Sequence, residues 1–545
     1  MKKYLQNKFI LLATASAVFV ATVGFKSDFF EIAKQIEIFT TLYKELNMNY
    51  VDETNPAQLM DSAVKGMLEE LDPYTHFWNE QDVEAAKISN SGEYTGIGAF
   101  IKTEKDNITI VEPYKDYPAD KAGLKAGDEI VKIGDINISD FSENAAELLQ
   151  GAPNTKVELT YRRQGKQFTT TLTRGAVEIK AVPFYQLLDN NIGYIVLAKF
   201  NRKASQETKE ALIDLKSKGA TRIILDLRGN PGGLLTEAIN VSNLFINKGE
   251  LVTTTKSVIE KYNKEYHTQH EPVDIQIPLA ILVDGKSASA SEIVAGSLQD
   301  LDRAVIVGGR SFGKGLVQRP KKLPYGTQLK ITISRYYTPS GRCIQALDYW
   351  HRDDEGNAVR TKSEDYNEFL TKNGRKVYDG GGIMPDVVLP TSQLSTFTSA
   401  LENEDMIFDF ATQYFYSHEV KDVANFSFPE NDYKNFMDFL KEKKFDYTSE
   451  SESLLQKSLE NAKDENTDKS VMKSYENLLA EINKNQQQLL IDKKAEITTA
   501  ITSEIIKRYF YMEGLYNFYI ENNPEILKSK EILNDLNQYN KILKL

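Results

Sequence analysis

Four short aliphatic runs between residues 192 and 308 constrain the fold of this chain more than any other feature. Each run is compact and presents apolar residues on both faces of an extended chain, which is typical of a strand in a sheet covered on both sides. Helical patterns lie between the runs, at residues 203–218 and 289–299. This alternation predicts an α/β core, and its strands are expected at residues 192–197, 222–227, 279–284 and 304–308.

Changes of pattern divide the rest of the chain. At 545 residues it is long enough for several domains. Apolar residues at helical spacing predict a helical region over 29–90, and short strands with glycine turns predict a separate domain over 91–176. The α/β core extends over 177–390, and a helical domain rich in Lys, Glu, Asn and Gln follows over 391–545. The expected fold class is therefore α/β (α+β) and multidomain.

Charge and residue counts exclude several classes of function. The net charge of −12 and the absence of a Lys/Arg block argue against a nucleic-acid binder, because phosphate contacts need clustered cations. A single cysteine, Cys343, excludes an internal disulfide. Only five histidines are present, and none lies in a glycine-rich turn beside a candidate nucleophile. A hydrolase built on this chain would therefore need a base other than histidine.

Residues 1–28 predict export. Lys2, Lys3 and Lys8 precede an uncharged apolar stretch at 9–25, which is the order of segments in an export signal. The stretch is at the short limit for a membrane span, and no clean Ala-x-Ala site follows it, so a cleaved signal peptide and a retained anchor both stay open. The bulk of the chain is expected in the periplasm or on the outward face of the cytoplasmic membrane, with inner-membrane association as an alternative.

Two motifs in the second region resemble a PDZ domain. The segment from Tyr117 to Gly134 reads as a short helix, a glycine turn and a strand, and Thr95-Gly-Ile-Gly-Ala-Phe100 matches a carboxylate-binding loop. The resemblance implies that backbone N–H groups around Gly96, Ile97, Gly98 and Ala99 capture the terminal carboxylate of a peptide that adds a strand to the sheet. A glycine-rich hairpin turn is the simpler alternative for the loop alone.

Three turns of the predicted core carry the residues of a Ser-Lys hydrolase. Asp226-Leu-Arg-Gly-Asn-Pro-Gly-Gly233 follows a strand and precedes a helix, so its glycines can turn backbone N–H groups toward an oxyanion. Ser289 stands between alanines at a strand-to-helix transition, where the N–H of Ala290 can be a second donor. Lys314, between two glycines, can act as the base if burial lowers its pKa, and Gln318 can orient its amine.

Each of these motifs has another interpretation. Ser287, Ser289 and Ser291 can be helix caps. Gly308-Gly-Arg-Ser-Phe-Gly-Lys-Gly315 nearly matches a phosphate-binding P-loop, although Gly315 replaces the Ser or Thr that holds magnesium. Asp226 and Arg228 are expected to form an ion pair that frames the glycine turn.

Two further candidates are weaker. His267 and His270 make a metal pair with too few ligands for a site, so a solvated loop is the preferred interpretation. Cys343 is a nucleophile only in principle, because no histidine is close to it in sequence.

Taken together and in order, the motifs resemble the carboxyl-terminal processing proteases, the S41 serine peptidases. The resemblance covers about residues 41–390 and includes the PDZ motifs, the three turns, Tyr336-Tyr-Thr-Pro-Ser-Gly-Arg342 and Gly382-Ile-Met-Pro-Asp386. It implies a crotonase-like ββα core. It also implies that Ser289 is the nucleophile, Lys314 the general base and Gln318 its support, with Ala290 and either Gly232 or Gly233 as oxyanion donors.

The function expected from this resemblance is an exported serine endopeptidase that cleaves proteins near their C-termini, with tail recognition by the PDZ domain. No metal or cofactor is expected, and protein or peptide substrates are the expected partners, with a homo-oligomer or an adaptor left open. The alternative is a non-catalytic PDZ scaffold that binds peptides. A nucleotide-binding enzyme built on the near P-loop is a second rival.

Overall fold

The computed structural model describes residues 29–104, 106–140, 145–353, 356–389, 394–423, 426–465 and 467–545. The predicted export signal at residues 1–28 lies outside them. The chain separates into two compact units, one of residues up to Trp78 together with Pro320–Ile331, and one of the remaining chain. Among the described residues, no helix is both long and apolar enough to span a membrane.

The first unit is a helical hairpin with a small sheet. Helix α1 covers residues 29–49, α2 covers Pro56–Glu69, and strand β1 covers His76–Trp78. Asn55 caps α2 by accepting from the N–H of Gln58, and β1 pairs antiparallel with residues 328–330. Most apolar side chains of α1 are exposed, among them Phe29, Phe30 and Ile36.

The PDZ fold follows in the second unit, after helix α3 (Glu80–Ser91). Its sheet has the order β3-β4-β5-β7-β8, with β6 beside β5, while β2 and β9 form a separate pair. Strand β3 is an edge of this sheet. The elements are β2 (Glu93–Gly96), β3 (Ala99–Thr103), β4 (Ile108–Pro113), α4 (Pro118–Lys121), β5 (Glu129–Ile133), β6 (Ile136–Asn137), β7 (Lys156–Arg163), β8 (Lys166–Thr173) and β9 (Gly175–Glu178).

A six-stranded sheet forms the α/β core, with the order β10-β11-β12-β15-β16-β23. Strand β10 is antiparallel to β11, and the other neighbours are parallel. All four predicted strands are present in it, as β11, β12, β15 and β16. The strands and helices are β10 (Phe184–Leu188), β11 (Ile192–Val196), α5 (Ala204–Ser217), β12 (Arg222–Asp226), α6 (Leu235–Asn243), β15 (Leu279–Val283), α7 (Ala290–Asp300), β16 (Val305–Gly308) and β23 (Val387–Val388).

The remaining strands lie outside this sheet. They are β13 (Leu251–Lys256), β14 (Lys264–His267), β17 (Leu316–Lys322), β18 (Gln328–Tyr337), β19 (Leu347–Arg352), β20 (Ala358–Arg360), β21 (Glu368–Leu370) and β22 (Lys376–Tyr378). Strand β13 pairs antiparallel with both β14 and residues 335–337 of β18.

The two faces of the core sheet are covered by different parts of the chain. Alternate residues such as Ile223 and Leu225 pack against α5–α7, whereas their neighbours Tyr194 and Ile224 pack against C-terminal helices. This explains why the strands are apolar at nearly every position. The C-terminal helices are α8 (Thr396–Asn403), α9 (Met406–Ser417), α10 (Glu430–Glu442), α11 (Glu450–Asp464), α12 (Lys469–Asp492), α13 (Lys494–Asn522), α14 (Pro524–Asn534) and α15 (Leu536–Leu543).

Candidate active site

Ser289 occupies a strained position at the start of a buried helix. It directly precedes α7, every residue of which is buried, yet its own side chain is only half-buried. Its backbone has φ 56° and ψ −109°, which is uncommon for a residue with a side chain. Such strain costs about 1–3 kcal/mol and persists where the surrounding structure enforces it, often at functional sites. The sharp turn places Ser289 at the N-terminus of α7, which is the strand-to-helix transition that the sequence predicted.

The Glu292 carboxylate joins two segments by hydrogen bonds: residues 287–289, called here the serine turn, and residues 311–315, called here the lysine loop. Its Oε2 accepts from the N–H of Ser289 at 2.8 Å and from the N–H of Lys314 at 2.9 Å. Its Oε1 accepts from the N–H of Gly313 at 2.7 Å and from Ser311 Oγ at 2.6 Å. Burial raises the pKa of Glu292, although these hydrogen bonds oppose the shift. One buried side chain thus fixes the backbone of both proposed catalytic residues.

The glycines beside Lys314 allow this loop to pack tightly. A Cβ atom on Gly313, whose φ is +90°, would lie 2.4 Å from the Cβ of Ala346, and one on Gly315 would lie 2.9 Å from the Gln345 nitrogen. The N–H of Gly315 donates to Gln345 Oε1 at 2.8 Å. The loop is also joined to the serine segment by the N–H of Phe312, which donates to Ser287 O at 3.1 Å. Lys314 itself is half-buried.

Gln318 lies on β17, after the lysine loop. Its Nε2 donates to Thr332 Oγ1 at 3.2 Å. A lysine amine needs an acceptor, so any support that this side chain gives Lys314 must come from Oε1. The hydrogen bond to Thr332 uses Nε2 and therefore leaves Oε1 available for such a contact.

The glycine turn after β12 lies directly against the serine segment. A Cβ on Gly232 would fall 2.6 Å from Ala288 O and 3.0 Å from Ser289 Cβ. Asn230 joins the two segments, since its backbone O accepts from the N–H of Ala288 at 3.0 Å and from Ser291 Oγ at 2.9 Å. Its side-chain Oδ1 accepts from the N–H of Gly232 at 2.9 Å. The backbone N–H of Gly232 is therefore already hydrogen-bonded within the turn.

Gly232→Ala is expected to inactivate the protein, because the new methyl group would displace the backbone around Ser289 and φ is +94° at this position. Gly229→Ala in the same turn is the matched control, since its φ is +68° but a Cβ there meets nothing within 4 Å. We expect a loss of about 100-fold or more for Gly232→Ala and a much smaller loss for Gly229→Ala, measured as initial rates of proteolysis. Equal activities would contradict the close approach of this turn to Ser289.

Asp226 and Arg228 form the ion pair that the sequence predicted. Arg228 Nη2 donates to Asp226 Oδ2 at 2.6 Å, and Arg228 Nε donates to Oδ1 at 2.9 Å. The hydroxyl of Tyr194 donates to the same carboxylate at 2.7 Å. The pair lies where strand β12 ends and the glycine turn begins, which agrees with the predicted structural role.

The loop that resembles a PDZ carboxylate-binding loop is formed by the end of β2 and the start of β3. Gly98 has φ +71°, and its O accepts from the N–H of Tyr114 at 2.9 Å, while Ile97 is buried and its O accepts from the N–H of Ala119 at 2.7 Å. These backbone hydrogen bonds hold the loop against the rest of the domain. Strand β3, which follows the loop, is an edge strand of the sheet.

Tyr94 lies over this loop, and sequence analysis did not single it out. A Cβ on Gly96 would be 2.7 Å from Tyr94 Cε2, so the ring covers that glycine. Burial raises the pKa of Tyr94, and the backbone N–H groups of Ala99 and Gly98 lower it in part. The phenol oxygen therefore faces the amides that the PDZ resemblance assigns to a peptide carboxylate.

The helix-cap interpretation of Ser289 has support, because Ser289 and Glu292 form a capping box at the start of α7. The other competing interpretations lack support from the geometry. The lysine loop leads into strand β17, whereas a P-loop leads into a helix whose N-terminus holds phosphate. His267 contacts Gly249 O and Glu265, and the described residues contain no group of three or more metal-ligating side chains arranged around an ion. Burial raises the pKa of Cys343, which disfavours the thiolate needed for nucleophilic attack.

The sequence motifs gave no role to Glu292 and did not indicate Asn230 as a bridge. The available signal for Glu292 was its place three residues after a serine at a helix start, which is the spacing of a capping box. That pattern predicts one bond to the Ser289 N–H. The other three donors come from a loop 19–22 residues away and could not be read from local spacing.

Comparisons with known protein families match three parts of the chain. Residues 191–348 match peptidase family S41, residues 109–163 match a PDZ domain, and residues 397–533 match the probable PDZ-protease C-terminal helical domain.

Curated relatives cover more of the chain. The carboxy-terminal-processing protease of Bartonella bacilliformis is 38% identical over 323 residues, which are 58% of this chain and 73% of that protein. The carboxy-terminal processing protease CtpA of Bacillus subtilis is 31% identical over 392 residues, 70% of this chain and 82% of that protein. Among solved structures, the photosystem II D1 C-terminal processing protease is 27% identical, with coverage of 63% of this chain and 85% of that one and a TM-score of 0.36.

These relatives favour a serine protease over the PDZ scaffold that the sequence left as an alternative. Identity above 30% extends over more than two thirds of each of the two curated proteins. The chain therefore belongs to the carboxy-terminal processing proteases, serine peptidases of family S41 with a PDZ domain.

Proposed function

We propose that this protein is an exported endopeptidase that cleaves proteins near their C-termini, with Ser289 as nucleophile and Lys314 as general base. The observation that carries the proposal is the Glu292 carboxylate, which binds the backbone N–H of both residues. A scaffold without catalysis has no evident need for a strained serine joined to a lysine loop by a buried charge. Strain at Ser289 supports the same assignment.

The proposed reaction is acyl transfer. The neutral amine of Lys314 takes the proton from Ser289 Oγ as this oxygen attacks the scissile carbonyl carbon. The resulting ammonium then gives the proton to the leaving amine when the peptide C–N bond breaks. Water attacks the acyl-enzyme with the same lysine as base, which releases the acid product and restores Ser289. Gln318 would orient the amine through Oε1.

The oxyanion would be bound by two backbone N–H groups, those of Ala290 and of one glycine in the turn. Ala290 is the first residue of α7, so its N–H points out of the helix N-terminus. The N–H of Gly232 donates to Asn230 Oδ1, whereas Gly233 is exposed beside Gly232. These contacts favour Gly233 as the second donor.

The PDZ loop would hold the substrate tail. Its Gly96, Ile97, Gly98 and Ala99 backbone would bind the terminal carboxylate while the tail pairs with the edge of β3. Because Tyr94 faces the same amides, a tail would have to displace its hydroxyl or accept a hydrogen bond from it.

Removing the last three residues of an unstructured substrate with an apolar C-terminus should raise KM about tenfold or more, which corresponds to about 1.4 kcal/mol of lost binding, and change kcat much less. A substrate with an equal deletion at its N-terminus is the control. Equal KM values for tailed and tail-less substrates would contradict the tail-binding role.

The export signal predicted from residues 1–28 supports a location in the periplasm or at the cytoplasmic membrane, with or without a retained anchor. The exposed apolar side chains of α1 supply a surface that a second copy, an adaptor protein or a membrane could cover. Light scattering of the chain without residues 1–28 would separate self-association from the other two.

A further inference from the structure

The C-terminal helices contact the base of the proposed oxyanion turn. Arg228 Nη1 donates to Asn523 Oδ1 at 2.7 Å and lies 3.3 Å from Glu525 Oε2. Asn523 and Glu525 are at the junction of α13 and α14, 295 and 297 residues away in sequence. Glu525 is 3% exposed, so this contact is removed from solvent. The contact therefore differs from a surface ion pair, whose energy is small.

Charge explains why Arg228 needs these partners. Its guanidinium lies at the N-terminus of α14, where the helix dipole disfavours a cation. The Glu525 carboxylate, in the first turn of α14, offsets that field and gives the guanidinium an acceptor. Asn523 has two functions, because its Oδ1 also accepts from the N–H of Ile526 and so caps the helix. Removing either acceptor leaves Arg228 with Asp226 and only one partner from the C-terminal helices.

The loop that contains Arg228 is hydrogen-bonded directly to the serine turn. Leu227, Arg228 and Asn230 belong to one tight loop. Leu227 O accepts from Ser287 Oγ at 2.8 Å, and Asn230 O accepts from the N–H of Ala288. Gly232 then lies against Ser289 with no room for a methyl group. A shift of Arg228 would therefore move the glycine turn relative to the nucleophile.

We infer that Asn523 and Glu525 are positioning residues for the oxyanion turn and act through Arg228. The C-terminal helical domain is thus part of the catalytic apparatus as well as a cover for the sheet. This inference rests on the proposed oxyanion role of the turn. It assigns no contact with substrate to either residue.

The test measures phosphonylation of Ser289 by a small fluorophosphonate, in which Ser289 Oγ forms a bond to phosphorus and fluoride leaves; the reagent has no C-terminal tail and does not need the PDZ loop. Glu525→Ala should slow this labelling rate about tenfold or more, because a small misplacement of catalytic groups has effects of this order. Glu525→Gln keeps an oxygen acceptor and should recover most of the rate. Glu531→Ala on the same helix is the matched control, since Glu531 is exposed and pairs only with Lys528 in the described contacts.

A second variant separates folding from positioning. Asn523→Ser retains a good helix cap but has a shorter side chain, so α14 should persist while the bond to Arg228 is lost. We expect a cooperative melting transition, which shows that the variant is folded, together with a lower kcat and an unchanged KM for a tailed substrate. A phosphonylation rate equal to that of the wild type in both Glu525→Ala and Asn523→Ser would overturn the inference.

The same assay distinguishes this inference from the proposed function. If the wild-type chain is labelled and Ser289→Ala is not, the nucleophile is established and the Glu525 result decides the inference alone. If the reagent never labels Ser289 in the wild type, the proposed function fails and the inference fails with it.

Discussion

Lys314→Ala is expected to abolish proteolysis, with a loss of about 10⁴-fold or more in kcat, because serine then lacks the base that takes its proton. Ser289→Ala should be equally inactive, and the double variant should be no worse than either single one, since residues that act as a unit are not additive. The measurement is the rate of cleavage of an unstructured protein with an apolar C-terminus. Melting curves of all variants establish that they remain folded.

Lys286→Ala provides the matched control for the lysine. Lys286 is exposed and precedes Ser289 by three residues, and its backbone N–H bonds to Asp284 without involving the side chain. This variant should retain activity near the wild-type level. Substantial cleavage by Lys314→Ala would rule out the Ser-Lys mechanism.

The strained backbone of Ser289 can be tested by comparing the free energies of unfolding of two inactive variants. Ser289→Gly removes the nucleophile and also the side chain that makes φ 56° unfavourable. It should be inactive and more stable than Ser289→Ala by about 1 kcal/mol, since a sparsely populated φ/ψ region costs a residue with a side chain about 1–3 kcal/mol and glycine tolerates it. A lower stability for the glycine variant would contradict strain at this position.

Glu292→Gln is expected to be nearly as damaging as complete removal of the side chain, although the two side chains have almost the same shape. The carboxylate accepts four hydrogen bonds, two on each oxygen. A Gln side chain has one acceptor oxygen, and its NH₂ group would face donors. Two buried donors would lose their acceptor, at about 1–3 kcal/mol each.

The loss should appear in stability and in catalysis together. We expect proteolysis to fall about 100-fold, because the backbone of Ser289 and Lys314 would no longer share one acceptor. Glu237→Gln is the matched control, since Glu237 is also buried in the first turn of a core helix but accepts from one backbone N–H, that of Ser205. A Gln side chain can replace that single acceptor. If both variants behave alike, Glu292 is not the link between the two segments.

The strands of the core could be predicted from sequence because each one is buried on both faces. Ile223, Ile224 and Leu225 are all fully buried, and so are Ala280, Ile281 and Leu282. An aliphatic run of this kind is visible in the sequence whatever covers it. The identity of the cover was not visible, since helical spacing in Ile526 or Leu533 indicates an apolar face but does not name the surface it meets.

The candidate site was partly predictable for a similar reason. Glycines and small residues at strand ends indicate tight turns, and the structure brings the three predicted turns together. Their catalytic roles stay predictions. The second donor at the oxyanion turn could not be chosen from sequence, because Gly232 and Gly233 are chemically identical. Only the bond from the Gly232 N–H to Asn230 Oδ1 distinguishes their environments.

The sequence by itself determined the strands, the turns and the residue types in them, since these depend on local spacing and on which side chains tolerate burial or positive φ. Tertiary structure alone decided that Glu292 joins the serine turn to the lysine loop, that Tyr94 faces the PDZ amides, and that Arg228 meets Asn523. The physical reason is that a hydrogen bond depends on the positions of two atoms in space. The 22 residues between Glu292 and Lys314, and the 295 residues between Arg228 and Asn523, exceed the range over which a local pattern can indicate a contact.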